Sequence, residues 1–322
     1  LPRNLRRLRN SDSLRRLVRE TKVDIEDLIY PIFVGEDLTG PEPIGSMPGI
    51  SRLPISALAE ETKEIERLGI KAVLIFGVPS WKDEAASSAL GSNGVVQSSI
   101  AEIKSAAPSL VVMTDVCVCA YMTHGHCGVI RGDQVDNAAT LPILAEMALT
   151  HAQAGADVVA PSAMMDGQVD ALRTKLNQGG FHQTAIMAYS SKFASAFYGP
   201  FREAADSAPS FGDRSSYQHD FANPRHARRE LKHDEEEGAD ILMVKPGLAY
   251  LDIVKIARET SDLPIAAYSV SGEYSMIKAA AERGWLDEKR IVLETLTAFK
   301  RAGADLIITY HARDTAKWLN DF

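Results

Sequence analysis

Eight short apolar runs, each parted from the next by a segment long enough for a helix, restrict this chain more than any other feature of its sequence. The runs are Leu28–Val34, Ala72–Gly77, Leu110–Val116, Val158–Ser162, Ala185–Ser190, Ile241–Lys245, Ile265–Val270 and Leu306–Tyr310. Such runs read as strands buried on both faces of a parallel sheet. Helix-length segments lie between them, such as Ser56–Leu68, Asn137–Ala154, Pro224–Glu237, Leu248–Thr260, Glu273–Arg283 and Glu288–Arg301. Eight strand–helix units in 322 residues predict an α/β chain folded as a TIM (β/α)8 barrel. A short motif recurs at the joins: Ala154-Gly155-Ala156-Asp157, Gly238-Ala239-Asp240 and Ala302-Gly303-Ala304-Asp305. Its glycine suits the position just past a helix, and Ala-Asp leads into the next strand. An open doubly wound sheet would use similar turns, but no G-x-G-x-x-G follows the first strand.

Residues 1–25 stand outside this pattern. LPRNLRRLRNSDSLRRLVRE is Arg-rich with Leu interleaved and lacks the apolar centre of a secretory signal. A transit peptide is one reading. The unbroken composition into the folded part favours an ordered, extended N-terminal arm that packs on a neighbouring subunit. The expected organisation is an arm of residues 1–25 and a barrel of residues 26–322. A net charge of -8 argues against a nucleic-acid partner. No apolar run approaches the ~18 residues of a membrane span. Three cysteines clustered within eleven residues do not make a disulfide framework, which fits a reducing, cytoplasmic setting.

In such a barrel the active site lies at the C-terminal ends of the strands. The sixth strand ends in Lys245, and Pro246-Gly247 breaks it at once. The fifth ends Tyr189-Ser190-Ser191-Lys192. Adjacent strands lie about 4.8 Å apart, so the two amines are expected to be neighbours. Burial and mutual repulsion would lower their affinity for protons, and a neutral amine attacks carbonyls to form a Schiff base. An anion-binding or ion-paired lysine is the blander reading for either one alone.

Cys117, Cys119 and Cys127 lie at and beyond the end of the third strand. Three thiolates can hold Zn²⁺ with one position left free, the pattern of a catalytic site. His124 or His126 could instead close that site as a fourth ligand. Residues 193–218 are too long for a simple connection and suggest a mobile lid. Arg202 and Arg214 on it are suited to clamp a carboxylate. Ser271 and Tyr310, at the ends of strands seven and eight, can donate to a second carboxylate. Asp115 and Ser162, on strands three and four, are placed to orient the amines.

Several stretches together resemble the porphobilinogen synthase (5-aminolevulinate dehydratase) family: Thr114–Gly128, Ser190–Arg202, Phe211–Arg214, Met243–Gly247, Val270–Glu273 and Ala302–Tyr310. The likeness runs from about residue 12 to 322. It implies a TIM barrel whose N-terminal arm helps to build a homo-octamer. It also implies the condensation of two 5-aminolevulinate molecules to porphobilinogen with loss of two waters, in tetrapyrrole biosynthesis. Carried over by motif, Lys245 would form the Schiff base on the propionate side and Lys192 on the other. Ser271 and Tyr310 match the propionate-side carboxylate binders, and Arg202 and Arg214 the acetate-side ones. Tyr198, Phe201 and Gln218 would line the lid. Cys117, Cys119 and Cys127 match the ligands of the zinc-dependent members. Glu230, fifteen residues before Lys245, matches the position that binds an activating Mg²⁺ away from the active site.

Two rivals remain at the level of sequence. A class I aldolase on the same fold explains Lys245 but leaves Lys192, the cysteines and the arginines unused. A non-catalytic zinc-binding barrel explains the cysteines but not the lysine pair.

Overall fold

The computed structural model describes residues 3–320. Its eight barrel strands are β1 (Leu28–Gly35), β2 (Ala72–Val78), β3 (Val111–Val116), β4 (Val158–Pro161), β5 (Ala185–Lys192), β6 (Ile241–Lys245), β7 (Ile265–Ser269) and β8 (Leu306–Thr309). Each pairs in parallel with the next, and β8 pairs with β1, so the sheet closes on itself. All eight predicted strands are present to within about two residues at their ends. An antiparallel pair, Glu42–Pro43 with Ser51–Pro54, extends the sheet beside β1.

The core has two layers, because side chains alternate across each strand. One layer lies between the sheet and the surrounding helices and includes Val73, Val112, Val159, Ala188, Leu242 and Ala267. The other fills the barrel and includes Phe33, Leu74, Met113, Ala160, Met187 and Met243. Helices Val95–Ala106 and Gln168–Gln178, absent from the predicted segments named above, complete the outer ring.

β5 breaks the alternation. Met187 and Tyr189 point into the barrel, so Ser191 should follow them. Instead the register slips between Leu242 and Val244 of β6, and Val244 pairs with Ser191 and Lys245 with Lys192. One residue of β6 thus faces two of β5, a bulge. Ser191 turns outward, where its hydroxyl lies 3.4 Å from the Ala227 carbonyl. Lys192 takes the inward place.

The recurring Gly-Ala-Asp motif has a common geometry. Gly155, Gly238 and Gly303 have φ of 105°, 98° and 121°, which L side chains rarely adopt. Each aspartate then caps the base of the preceding strand. Asp157 accepts from Val112 N–H at 2.7 Å, Asp240 from Ile186 N–H at 2.8 Å, and Asp305 from Ile265 N–H at 2.8 Å. A cation from a nearby helix joins the same oxygen: Lys104, Arg173 and Arg258 respectively. Asp240→Ala is expected to cost about 1 kcal/mol, because it strips the Ile186 amide and Arg173 of a shared acceptor that is half open to water. The midpoint of urea unfolding measures this, and an unmoved midpoint would deny the cap a role in stability.

The segment before β1 carries a short helix, Asp12–Leu17, with no buried residue. Leu5, Leu8 and Leu17 are more than half exposed. No helix among the described residues is long and apolar enough to cross a membrane.

Candidate active site

The lysines meet where the bulge places them. Both are almost fully buried. The Nζ of Lys245 sits among aromatic rings, 4.3 Å from the centroid of Tyr268, 4.7 Å from Phe201 and 5.1 Å from Tyr189. Burial pushes the pKa of Lys245 down to about 7, and the Lys192 charge pushes the same way. Asp115, Cys119 and Cys117 pull against them. The buried site therefore favours the neutral amine far more than water does. Lys192 donates to the Ser162 carbonyl at 2.6 Å, so Ser162 orients this amine through its backbone.

Asp115, on the inward face of β3, is raised to about 6 by burial, against the pull of Lys192 and Lys245. Its Oδ1 is buried and has no hydrogen-bond partner among the described residues. The same holds for the Tyr189 hydroxyl, the Nε atoms of Arg202 and Arg214, and Nε2 of Gln218. Buried polar atoms are rarely left so. Five on the strand ends and the lid mark a place built for a polar ligand.

The sulfur atoms of Cys117, Cys119 and Cys127 lie within 4.8 Å of one another, and all three residues are buried. Thiolates bound at ~2.3 Å to a tetrahedral zinc stand about 3.8 Å apart, so the cluster fits that ion. Cys127 is held well below the usual thiol range, by hydrogen bonds from Cys117 and Cys119 and by the charges of Arg214 and Lys192. A thiolate is the form that binds metal.

The two histidines are engaged elsewhere. His126 contacts the Tyr217 hydroxyl through Nδ1 at 3.1 Å and the Phe211 carbonyl through Nε2 at 3.0 Å. His124 Nδ1 accepts from the His126 amide. Neither joins the sulfur cluster. The fourth position of an ion there would stay open to a small molecule.

Residues 193–218 cover the site. They contain a 3-10 turn, Ala196–Tyr198, and a helix, Gly199–Ala204. Tyr198 donates to the Lys245 carbonyl at 3.1 Å. Arg214 donates to Gly125 O at 2.9 Å and Ser207 O at 2.6 Å, which ties the lid to the cysteine loop. The Phe201 amide donates to the Ser271 hydroxyl at 3.0 Å. Ser271 opens the helix Ser271–Glu282, so backbone amides and the positive end of the helix dipole lie beside its hydroxyl. The Tyr310 hydroxyl lies 3.1 Å from that of Tyr268. Beneath Phe201 a cavity of only about 20 Å³ remains, lined by Asp115, Cys117, Cys119 and Phe76.

A sequence profile described as "Delta-aminolevulinic acid dehydratase" matches residues 2–318. The chain belongs to the delta-aminolevulinic acid dehydratase family. It is therefore a lyase. The delta-aminolevulinic acid dehydratase of Synechococcus elongatus is 54% identical over 320 residues, with 98% of each chain covered. That of Bacillus subtilis is 51% identical over 314 residues, covering 98% of this chain and 97% of its own. The Toxoplasma gondii ME49 delta-aminolevulinic acid dehydratase (porphobilinogen synthase), solved in complex with the product porphobilinogen, superposes with a TM-score of 0.97. It is 45% identical and covers 100% of this chain and 93% of its own.

Lys192, Lys245, Asp115, Ser162, Ser271, Tyr310, Tyr198, Phe201, Arg202, Arg214, Gln218 and the three cysteines all lie at the strand ends or in the covering segment. Glu230 does not join them. It lies on the helix Pro224–Glu236, outside the barrel. Sequence reasoning missed Tyr189 and Tyr217. Tyr189 was readable as an inward position two places past Met187. Tyr217 gave no signal, because its role depends on how the lid folds back on His126.

Proposed function

We propose that this chain condenses two 5-aminolevulinate molecules to porphobilinogen with loss of two waters, using Schiff bases on Lys245 and Lys192. The observation that carries this reading is the pairing of Lys245 with Lys192 in one buried register. A single Schiff-base step needs one amine; the asymmetric joining of two keto acids can use two. Neutral Lys245 attacks the ketone carbon of one substrate, and loss of water leaves an iminium. Lys192 does the same for the second. Asp115, with no bonding partner for Oδ1 and lying near both amines, takes up or returns a proton in these steps.

Ser271 and Tyr310 would turn their hydroxyls to one carboxylate beside a helix N-terminus, Ser271 once its bonds to Phe197 and Phe201 of the lid are released. Arg202 and Arg214 bring charge to the other. The small cavity beside Asp115 and Cys119 cannot hold a five-carbon acid while Phe201 covers it, so binding there requires the lid to lift. Cys117, Cys119 and Cys127 would hold a zinc ion, which when bound supplies a Lewis acid for a substrate oxygen or lowers the pKa of a bound water. The exposed leucines of the arm are suited to pack on a neighbouring copy, consistent with a homo-octamer.

Incubation with 5-aminolevulinate, followed by colorimetric measurement of porphobilinogen, tests this function. Borohydride reduction should attach substrate to Lys245. Trapping only of sugar phosphates or simple aldehydes would point instead to an aldolase.

The pH dependence has a definite sign. Attack requires the neutral amine, so single-turnover Schiff-base formation should rise about tenfold per pH unit well below 7 and level off above it. A rate that stays flat from pH 5.5 to 8 would rule out Lys245 as the nucleophile with this pKa.

A further inference from the structure

A cavity of about 880 Å³ lies apart from both lysines. It lies outside the barrel, between the helix Pro224–Glu236, the return of the lid and the segment Met164–Gln168. His219, His226 and Glu230 line one part of it. One ligand atom from each lies within 4.8 Å of the other two.

The three come from two elements. His226 and Glu230 are one helical turn apart, and Nε2 of the histidine lies 3.4 Å from Oε1 of the glutamate. His219 follows the lid, and its ring stacks on that of His226 with centroids 4.6 Å apart. His219 is 3% exposed, yet its Nδ1 has no partner among the described residues. Asp166 adds a second carboxylate close enough to influence Glu230.

This donor set does not suit the ion expected at Glu230. Mg²⁺ takes oxygen ligands and keeps several waters. Two imidazoles with one carboxylate are the ligands of first-row transition ions such as Zn²⁺, Co²⁺ or Fe²⁺. We infer that His219, His226 and Glu230 form a second metal site, specific for a divalent transition cation rather than Mg²⁺.

Such an ion would join the foot of the lid to the helix. The position matters because His219 is also stitched to the catalytic strand end. Its amide donates to the Lys192 carbonyl at 3.0 Å, and its carbonyl accepts from Ala194 N–H at 2.8 Å. A metal on the His219 ring would fix the backbone that leaves Lys192, without touching substrate.

The test uses the full-length protein loaded with Zn²⁺ or Co²⁺, desalted, and assayed for metal per chain. His226 is half exposed, so His226→Ala should fold; Glu230→Gln serves as the second variant. The expected result is one bound ion fewer per chain in either variant, with the thiolate absorption of the cobalt protein unchanged. A crystal of the zinc-loaded protein should show anomalous density between the three side chains. Equal metal content in wild type and both variants, with no such density, would overturn the inference. Displacement of the second ion by millimolar Mg²⁺ would overturn its specificity. Metal at the histidines but none at the cysteines would leave this inference standing and remove the zinc from the proposed reaction.

Discussion

Lys245→Met should lower turnover by at least about 10⁴-fold while leaving the fold at least as stable as before. Methionine matches the aliphatic stem of lysine and removes only the amine. What remains sits among Tyr268, Phe201 and Tyr189, which suit an apolar side chain. The wild-type chain instead buries an ammonium whenever Lys245 is protonated. That penalty is full below about pH 7 and fades as pH rises toward the ordinary lysine value, because the unfolded chain keeps its proton over that range. The variant should therefore gain more stability, relative to wild type, at pH 6 than at pH 9. Urea midpoints at the two pH values measure this, and borohydride trapping at position 245 should vanish. Substantial residual turnover would show that Lys192 alone carries the chemistry.

The second large effect concerns the cysteines. Treatment with a strong chelator should lower activity about 10³-fold, corresponding to several kcal/mol of charge stabilisation. Added Zn²⁺ should restore it, and Mg²⁺ should not. The far-ultraviolet circular dichroism should stay unchanged, because the eight strands close on a barrel interior packed without the thiols, and removing an ion leaves the cysteine side chains themselves in place. Cys119→Ser should mimic chelation without rescue by zinc. Full activity in the chelated protein would leave the three thiols as buried side chains with no part in the reaction. Melting of the fold on chelation would make them a structural clip.

The strands were legible because burial on both faces leaves Val, Ile and Leu in unbroken runs, as in Val73, Leu74 and Ile75. Most site residues followed from one rule, that chemistry collects at strand ends. The hairpin near β1 was not readable, because two strands of two and four residues carry too few side chains to show a period. The engagement of His126 with Tyr217 and Phe211 was hidden for another reason. It joins segments about 90 positions apart that meet only when the lid folds down. His219 and His226 were equally silent, since one lies in a connection and the other on a helix. Zinc was readable in the three clustered cysteines, whereas magnesium and the octamer came from family likeness alone. The sulfur spacing supports zinc, and the imidazoles beside Glu230 weigh against magnesium.

The slip in β5 has a further meaning. Along a regular strand, side chains three positions apart face opposite ways, so Tyr189 and Lys192 could not both look inward. The extra residue acts as a phase shift that applies only beyond the point of insertion. The body of the strand keeps its packing, and only the tip changes face. The barrel thus presents two amines instead of one through the length of one strand, not through the choice of a new side chain. A one-amine and a two-amine catalyst on this scaffold differ by a single count in the backbone.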